Sequence, residues 1–299
     1  MSTAALMIAA SRHPRLNFAP FVADPRHFQI ATLASLVALH LARFDLGASP
    51  AQALTTVAGA LAAQFVCARL SGNVPFDWRS PLITGLSLTL LLRSHSPAMW
   101  LLAPALGIAA KYVLRVRGKH VFNPATFAIA ALLFVSPDVW VSPGQWGNAV
   151  WLVLLLVCCG GLVLQRAARA DTALAFLGAY AGLLLWRAWS LGDPVEIPLN
   201  QLQSGALLLF SFFMITDPRS TPDRRLGRVL FAIAVAGFAY WLQFRWQLRP
   251  ALFFALAAMS PLTPILDWLL PAPRFAWRHE PDPLIPSALT PNTLTIAEA

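Results

Sequence analysis

Apolar positions in this chain gather into long unbroken runs. Runs of a length to cross about 30 Å of hydrocarbon lie near 28–44, 50–69, 97–114, 123–137, 146–165, 172–189, 226–243 and 250–270. Two others, near 81–93 and 201–216, are short or interrupted. Pro81 and Pro97 bracket the first, and the polar stretch Asn200-Gln201-Leu202-Gln203-Ser204-Gly205 opens the second. Counting both, the pattern predicts an all-α polytopic membrane protein of about ten transmembrane segments.

The order long, long, short, long, long occurs twice, so the third and eighth segments are expected to be broken helices at matching places. Residue-level echoes support a duplication. Asn123-Pro124-Ala125-Thr126-Phe127 aligns with Arg249-Pro250-Ala251-Leu252-Phe253, and Ile83-Thr84-Gly85-Leu86 with Gln203-Ser204-Gly205-Ala206. Because five is odd, the second copy enters the membrane the other way up. The expected architecture is therefore a five-plus-five inverted repeat, a design that places sites near the midplane at the repeat interface. The chain divides into a cytoplasmic tail (1–27), a first membrane repeat (28–137), an outside loop (138–145), a second repeat (146–270) and a disordered cytoplasmic tail (271–299) rich in Pro, Ser, Thr and acidic residues.

Charge orients this scheme. With both termini cytoplasmic, 17 of the 22 Lys and Arg residues fall on inside connections, as the positive-inside rule requires. The net charge of +9 and the pI near 10.7 then mark topology in a bacterial inner membrane, and no nucleic-acid partner is expected. Mean hydropathy of +0.62 with only 12% charged residues agrees with lipid as the main partner. Cys67, Cys158 and Cys159 sit in apolar runs without ligand spacing, the six histidines are scattered, and no metal site is expected. Nucleotide-binding glycine loops, zinc motifs and nucleophile elbows are absent from the sequence.

Candidate chemistry concentrates where the short segments meet polar residues. Thr84, Ser87 and Ser204, with their neighbouring glycines, either line a cavity between the repeats or let helices pack closely. Asn123 before Pro124 reads as an N-cap, and beside Lys119 and His120 that helix start also suits an anionic or carbonyl-bearing ligand. Asp217, after Phe212-Phe213-Met214-Ile215-Thr216, either caps the next turn or pairs with Arg219, Arg224 or Arg225, or else binds a cation or holds a ligand. No catalytic residue is assigned.

Three motifs carry a family likeness: Ser80-Pro81-Leu82-Ile83-Thr84-Gly85-Leu86, Phe122-Asn123-Pro124-Ala125, and Phe212-Phe213-Met214-Ile215-Thr216-Asp217-Pro218 followed by Gly227-Arg228. From about residue 25 to 270 the chain resembles the membrane subunits shared by the Na+-translocating NADH:quinone oxidoreductase (its B subunit) and the Rnf electron-transport complex (its D subunit). The resemblance implies an inverted-repeat core, similar in shape to urea transporters, that binds flavin (riboflavin or FMN) and relays electrons, with ion movement as the associated transport. It implies partner redox subunits, or an FMN-binding or iron-sulfur protein. Members with covalent FMN carry a Ser-Gly-Ala-Thr motif in the outside loop, whereas Ser136–Gln145 here has no threonine, so flavin is expected to be noncovalent. A Gly-Gly-Tyr-Pro-type loop before the tenth segment is replaced by Gln243-Phe244-Arg245-Trp246-Gln247-Leu248-Arg249-Pro250. The cofactor set expected from the likeness is Thr84, Ser87, Asn123, Thr126, Ser204, Thr216 and Asp217, with Asp217 orienting Thr216 or binding a coupling ion. The alternative on the same fold is a transporter or channel for a small solute, and a weaker one is a scaffold for a flavoprotein or a biosynthetic pathway.

Overall fold

Helices occupy each of the ten apolar runs. The computed structural model describes residues 24–43, 49–72, 74–142 and 150–275, so most of the N-terminal tail, the end of the outside loop and nearly all of the C-terminal tail lie outside the described residues. The first half contains α1 (Pro25–Arg43), α2 (Pro50–Leu70), α3 (Arg79–Leu91), α4 (Pro97–Val113) and α5 (Pro124–Val135). The second contains α6 (Val150–Ala167), α7 (Ala170–Leu191), a short α8 (Glu196–Leu202), α9 (Gly205–Leu209) running into a π turn (Phe210–Met214), α10 (Arg225–Arg245), and the pair α11 (Ala251–Met259) and α12 (Leu262–Leu269).

Local chemistry sets the starts. Ser49 accepts the Gln52 N–H ahead of Pro50, Asn123 accepts the Thr126 N–H ahead of Pro124, and Ser204 accepts the Leu207 N–H at the start of α9. Each side chain takes one of the free donors of a first turn. Gly192, at φ 72°, closes α7 in the left-handed conformation that glycine adopts without a Cβ penalty.

Three expectations need correction. The third segment is a continuous 13-residue helix, short but not broken; it turns extended at Leu92, where β1 (Leu92–Ser94) pairs antiparallel with β4 (Val139–Val141) in the loop after α5. That ladder, and the hairpin of β2 (Arg115–Val116) with β3 (Lys119–His120), add a little strand to an otherwise helical chain. The tenth segment bends by 45° between α11 and α12, where Pro261 has no N–H to continue the helix. The eighth is irregular as expected, with α9 widening into a π turn, and the Ser211 hydroxyl donates to the Leu207 carbonyl at 2.6 Å.

The two halves pack alike. Helix α2 packs on α4 as α7 packs on α10, and α4 packs on α5 as α10 packs on α11. Between halves, α1 lies against α6 and α5 against α11. The fully buried rings of Phe176, Phe210, Phe231 and Phe253 fill the second half, with Phe210 5.1 Å from Phe176 and 5.9 Å from Phe253. The outer faces stay apolar, with Leu54 73%, Phe134 86% and Trp189 81% exposed, a surface suited to lipid. Three described helices are long and apolar enough to cross a membrane, or four if the bent α11–α12 pair is one span.

Candidate functional site

The end of the π turn and the start of α5 meet at one carboxylate. Asp217 Oδ1 accepts the Arg219 N–H at 3.1 Å, and Oδ2 accepts the Ser220 hydroxyl at 3.2 Å. From the other half of the chain, Asn123 Nδ2 donates to the same Oδ2 at 3.4 Å, and His120 Nε2 lies 3.3 Å away. Asn123 works at both ends, because its Oδ1 caps α5 while its Nδ2 reaches Asp217. One amide thus ties the start of the fifth segment to the end of the eighth.

Electrostatics fix the protonation of this cluster. Burial works to raise the Asp217 carboxyl, but hydrogen bonds from His120, the Arg219 N–H and Ser220 outweigh it and hold the group at about 2. Burial pushes His120 below its ordinary 6.5 against the pull of Asp217. Since an ionised carboxylate only accepts, the His120 Nε2 facing it carries a proton.

Paired charges surround the cluster. Lys119 Nζ reaches the Thr221 carbonyl at 2.5 Å, Asp267 at 2.9 Å and Asp223 at 3.2 Å. Arg228 and Asp171 form a two-nitrogen pair, closest at 2.5 Å, joining α10 to α7. Arg169, 2% exposed, donates to the Pro222 carbonyl at 3.2 Å and lies over the Phe275 ring, and burial lowers its guanidinium to about 10. Lys111 is buried and donates to Ser80 Oγ at 2.9 Å and Gln64 Oε1 at 3.2 Å.

Of the seven residues singled out by sequence, Asn123, Thr126, Thr216 and Asp217 gather at this junction. The Thr216 hydroxyl donates to the Phe212 carbonyl at 2.6 Å. Thr126, 1% exposed, carries the one buried side-chain polar atom without a hydrogen-bond partner among the described residues, its Oγ1. Thr84 and Ser87 are buried on α3, which packs on α5, and Thr84 Oγ1 donates to the Ser80 carbonyl at 3.1 Å. Ser204 stands apart. It caps the opposite end of the eighth segment, about 15 Å of helix from Thr216. Of the readings offered for Asp217, capping of the next turn is what its Oδ1 does, accepting the Arg219 N–H; its side-chain partners are His120, Asn123 and Ser220, while Arg225 reaches toward Asp171 at 3.7 Å. Sequence reading named His120 only as a neighbour of the Asn123 helix start and left it out of the cofactor set, because it has no spacing to another histidine. Its nearness to Asn123 was the available signal. Among the described residues no group of three or more His, Cys, Asp or Glu is arranged to hold a metal ion.

Comparison with known proteins bears on this junction. The sequence model of the NQR2, RnfD, RnfE family matches residues 139–275, which include Asp217 and Gly227-Arg228. The D subunit of an ion-translocating oxidoreductase complex from Stutzerimonas stutzeri is 28% identical over 290 residues, covering 72% of this chain and 81% of that protein. The D subunits of the ion-translocating oxidoreductase complexes of Citrobacter koseri and Pseudomonas paraeruginosa are 32% and 34% identical over 128 and 130 residues, in each case 42% of this chain. Those alignments span about a third of the two relatives, 34% and 36% of their lengths.

Proposed function

Because the chain belongs to the NQR2, RnfD, RnfE family, we propose that it is the membrane electron-transport subunit of a multi-subunit ion-translocating oxidoreductase, with a flavin bound noncovalently between its two halves. Ten crossings in an inverted five-plus-five arrangement, with both termini cytoplasmic in a bacterial inner membrane, provide the frame. Supporting that frame is the matched packing of α2 on α4 with α7 on α10, and of α1 on α6 with α5 on α11, pairs that a two-fold relation between repeats exchanges or maps onto themselves.

The observation that carries the flavin reading is the Asn123–Asp217 link across the halves with the unpartnered Thr126 hydroxyl at its side. These residues suit the edge of an isoalloxazine ring. Thr126 Oγ1 has a hydrogen free to donate to a ring carbonyl, while the Thr84 and Thr216 hydroxyls, already donating to their own helices, retain lone pairs that accept a ring N–H. Asn123 and His120 hold the Asp217 carboxylate in place, and Asp217 places a fixed negative charge next to Thr216. Ser87 lines the α3 wall, and Ser204 lies at the other end of the broken segment. A bound flavin supplies the electron-transfer chemistry, and the protein supplies position and electrostatics.

The test is a visible spectrum of detergent-purified protein, followed by acid precipitation. Yellow absorbance released to the supernatant is expected, as is its loss in Thr126→Val with no fall in thermal stability, because the deleted hydroxyl has no protein partner to lose. A colourless wild type purified with its lipids, or full flavin retention in Thr126→Val, defeats the assignment. Solute uptake by proteoliposomes without redox partners then becomes the leading reading.

A further inference from the structure

The β2–β3 hairpin turns through Arg117 and Gly118, with φ of 53° and 80°. A two-residue hairpin of this hand needs positive φ at both central positions, which Asn and Gly adopt readily and arginine does not. Below the turn lies a cavity of about 190 Å³ whose walls include Lys119, His120, Asp223, Asp267 and Arg274. Most of the charge in it is consumed. Lys119 bridges both aspartates, the Asp223 N–H donates to Asp267, the Phe275 N–H donates to Asp223, and His120 faces Asp217.

Two guanidinia remain. Arg117 and Arg274 are exposed at the mouth and have no hydrogen-bond or ion-pair partner among the described residues. Arg274 Nη1 lies 3.5 Å from where a Cβ on Gly118 would stand, so it rests on the turn that Arg117 begins. With Lys119 set against two aspartates, the two guanidinia leave the lining one net positive charge, and an ion with several acceptor oxygens relieves the repulsion between them through charge-assisted hydrogen bonds. Basic pockets at the ends of membrane helices are suited to phosphate headgroups.

We propose that Arg117 and Arg274, over this cavity, bind an anionic phosphate group, carried by a lipid headgroup or by a soluble phosphate monoester. The site rests on no part of the flavin assignment. The test uses the full chain, delipidated in mild detergent, with binding read from the rise in unfolding temperature on titration. Phosphatidylglycerol and cardiolipin are compared with phosphatidylcholine, and flavin mononucleotide with riboflavin. Arg117→Gln/Arg274→Gln is expected to weaken the preferred anionic probe about ten-fold or more. The charge-matched control Arg224→Gln/Arg225→Gln, on exposed arginines that do not line the cavity, stays within about two-fold of wild type. Preference for the anionic lipids assigns the phosphate to a headgroup, and preference for the mononucleotide over riboflavin assigns it to a soluble ester. Arg274→Gln alone carries the same comparison if the double variant does not fold. The proposal is overturned if neither anionic probe outperforms its counterpart, or if both double variants weaken binding equally.

Discussion

Gly107 on α4 is the tightest point between α4 and the start of α5, and replacing it tests how the Asn123 junction is held. A Cβ there would stand 2.4 Å from the Pro124 carbonyl oxygen, 3.0 Å from its carbon and 3.3 Å from Ala128 Cβ. The obstacle is backbone in the first turn of α5, one residue after Asn123, so no side-chain rotation relieves it. Reaching ordinary contact at 3.4 Å requires a retreat of about 1 Å. Overpacking of this kind costs about 1–3 kcal/mol, and a fixed backbone neighbour places it near the upper end. Alanine returns about 1 kcal/mol of helix propensity, leaving a net loss of about 2 kcal/mol. For a domain of this size that is a fall of roughly 4–8 °C in unfolding temperature. Gly178 and Gly182 on α7 have nothing within 4 Å of an added Cβ, so their alanine variants gain propensity alone and unfold at or slightly above wild type. Tryptophan fluorescence in detergent, with eleven tryptophans to report, reads all three. The opposite sign is the informative part: a Gly107→Ala protein as stable as Gly178→Ala refutes the close approach of α4 to the α5 start. Gly107→Ala should also bind less flavin, since its strain falls on the turn carrying Asn123 and Thr126.

The remaining expectations concern charge. His120 and Asp217 both have depressed folded values, so the stability each contributes is complete above its unfolded value and lost as pH falls. Unfolding temperature should drop first below pH 6.5 and again between 3.8 and about 2; His120→Asn removes the first step and Asp217→Asn the second, and a wild-type profile flat from neutrality to about pH 5 contradicts the His120 assignment. Arg228→Leu removes both guanidinium hydrogen bonds from Asp171, 10% exposed, and leaves it the Thr172 N–H at 2.8 Å and Arg225 at 3.7 Å, at a cost of about 1–3 kcal/mol. The double variant Asp171→Asn/Arg228→Gln recovers much of it, and thermal unfolding of the pair checks both statements. Lys119→Met leaves Asp223 and Asp267 facing each other without their shared cation and lowers the unfolding temperature more than Lys119→Arg does. Equal losses in those two variants would show that the lysine acts by shape and not by charge.

The helices were readable because lipid demands long apolar runs, and the capped start at Asn123-Pro124 was readable because the free donors of a first turn demand side-chain acceptors; the Ser204 cap, read as cavity lining or close packing, was not. Cross-chain partners were not. Asp217 finds Asn123 94 residues away and His120 97 away, and Lys119 finds Asp267 148 away, contacts that depend on how the two halves pack. The bend at Pro261 was written in the sequence but hidden inside a continuous apolar run. A finer rule separates the candidate hydroxyls. Thr84 and Thr216 have a helical carbonyl four residues back, Ser80 and Phe212, and donate to it, as threonine inside a helix does. Thr126 is the third residue of α5, so its residue four back, Phe122, precedes the helix and offers no aligned carbonyl. Its own N–H is taken by Asn123 Oδ1, and the Asn123 carbonyl by the Phe127 N–H. Position within the turn, not residue type, therefore decides which hydroxyl is left for a ligand, and the three-residue spacing from Asn123 to Thr126 already contains that information.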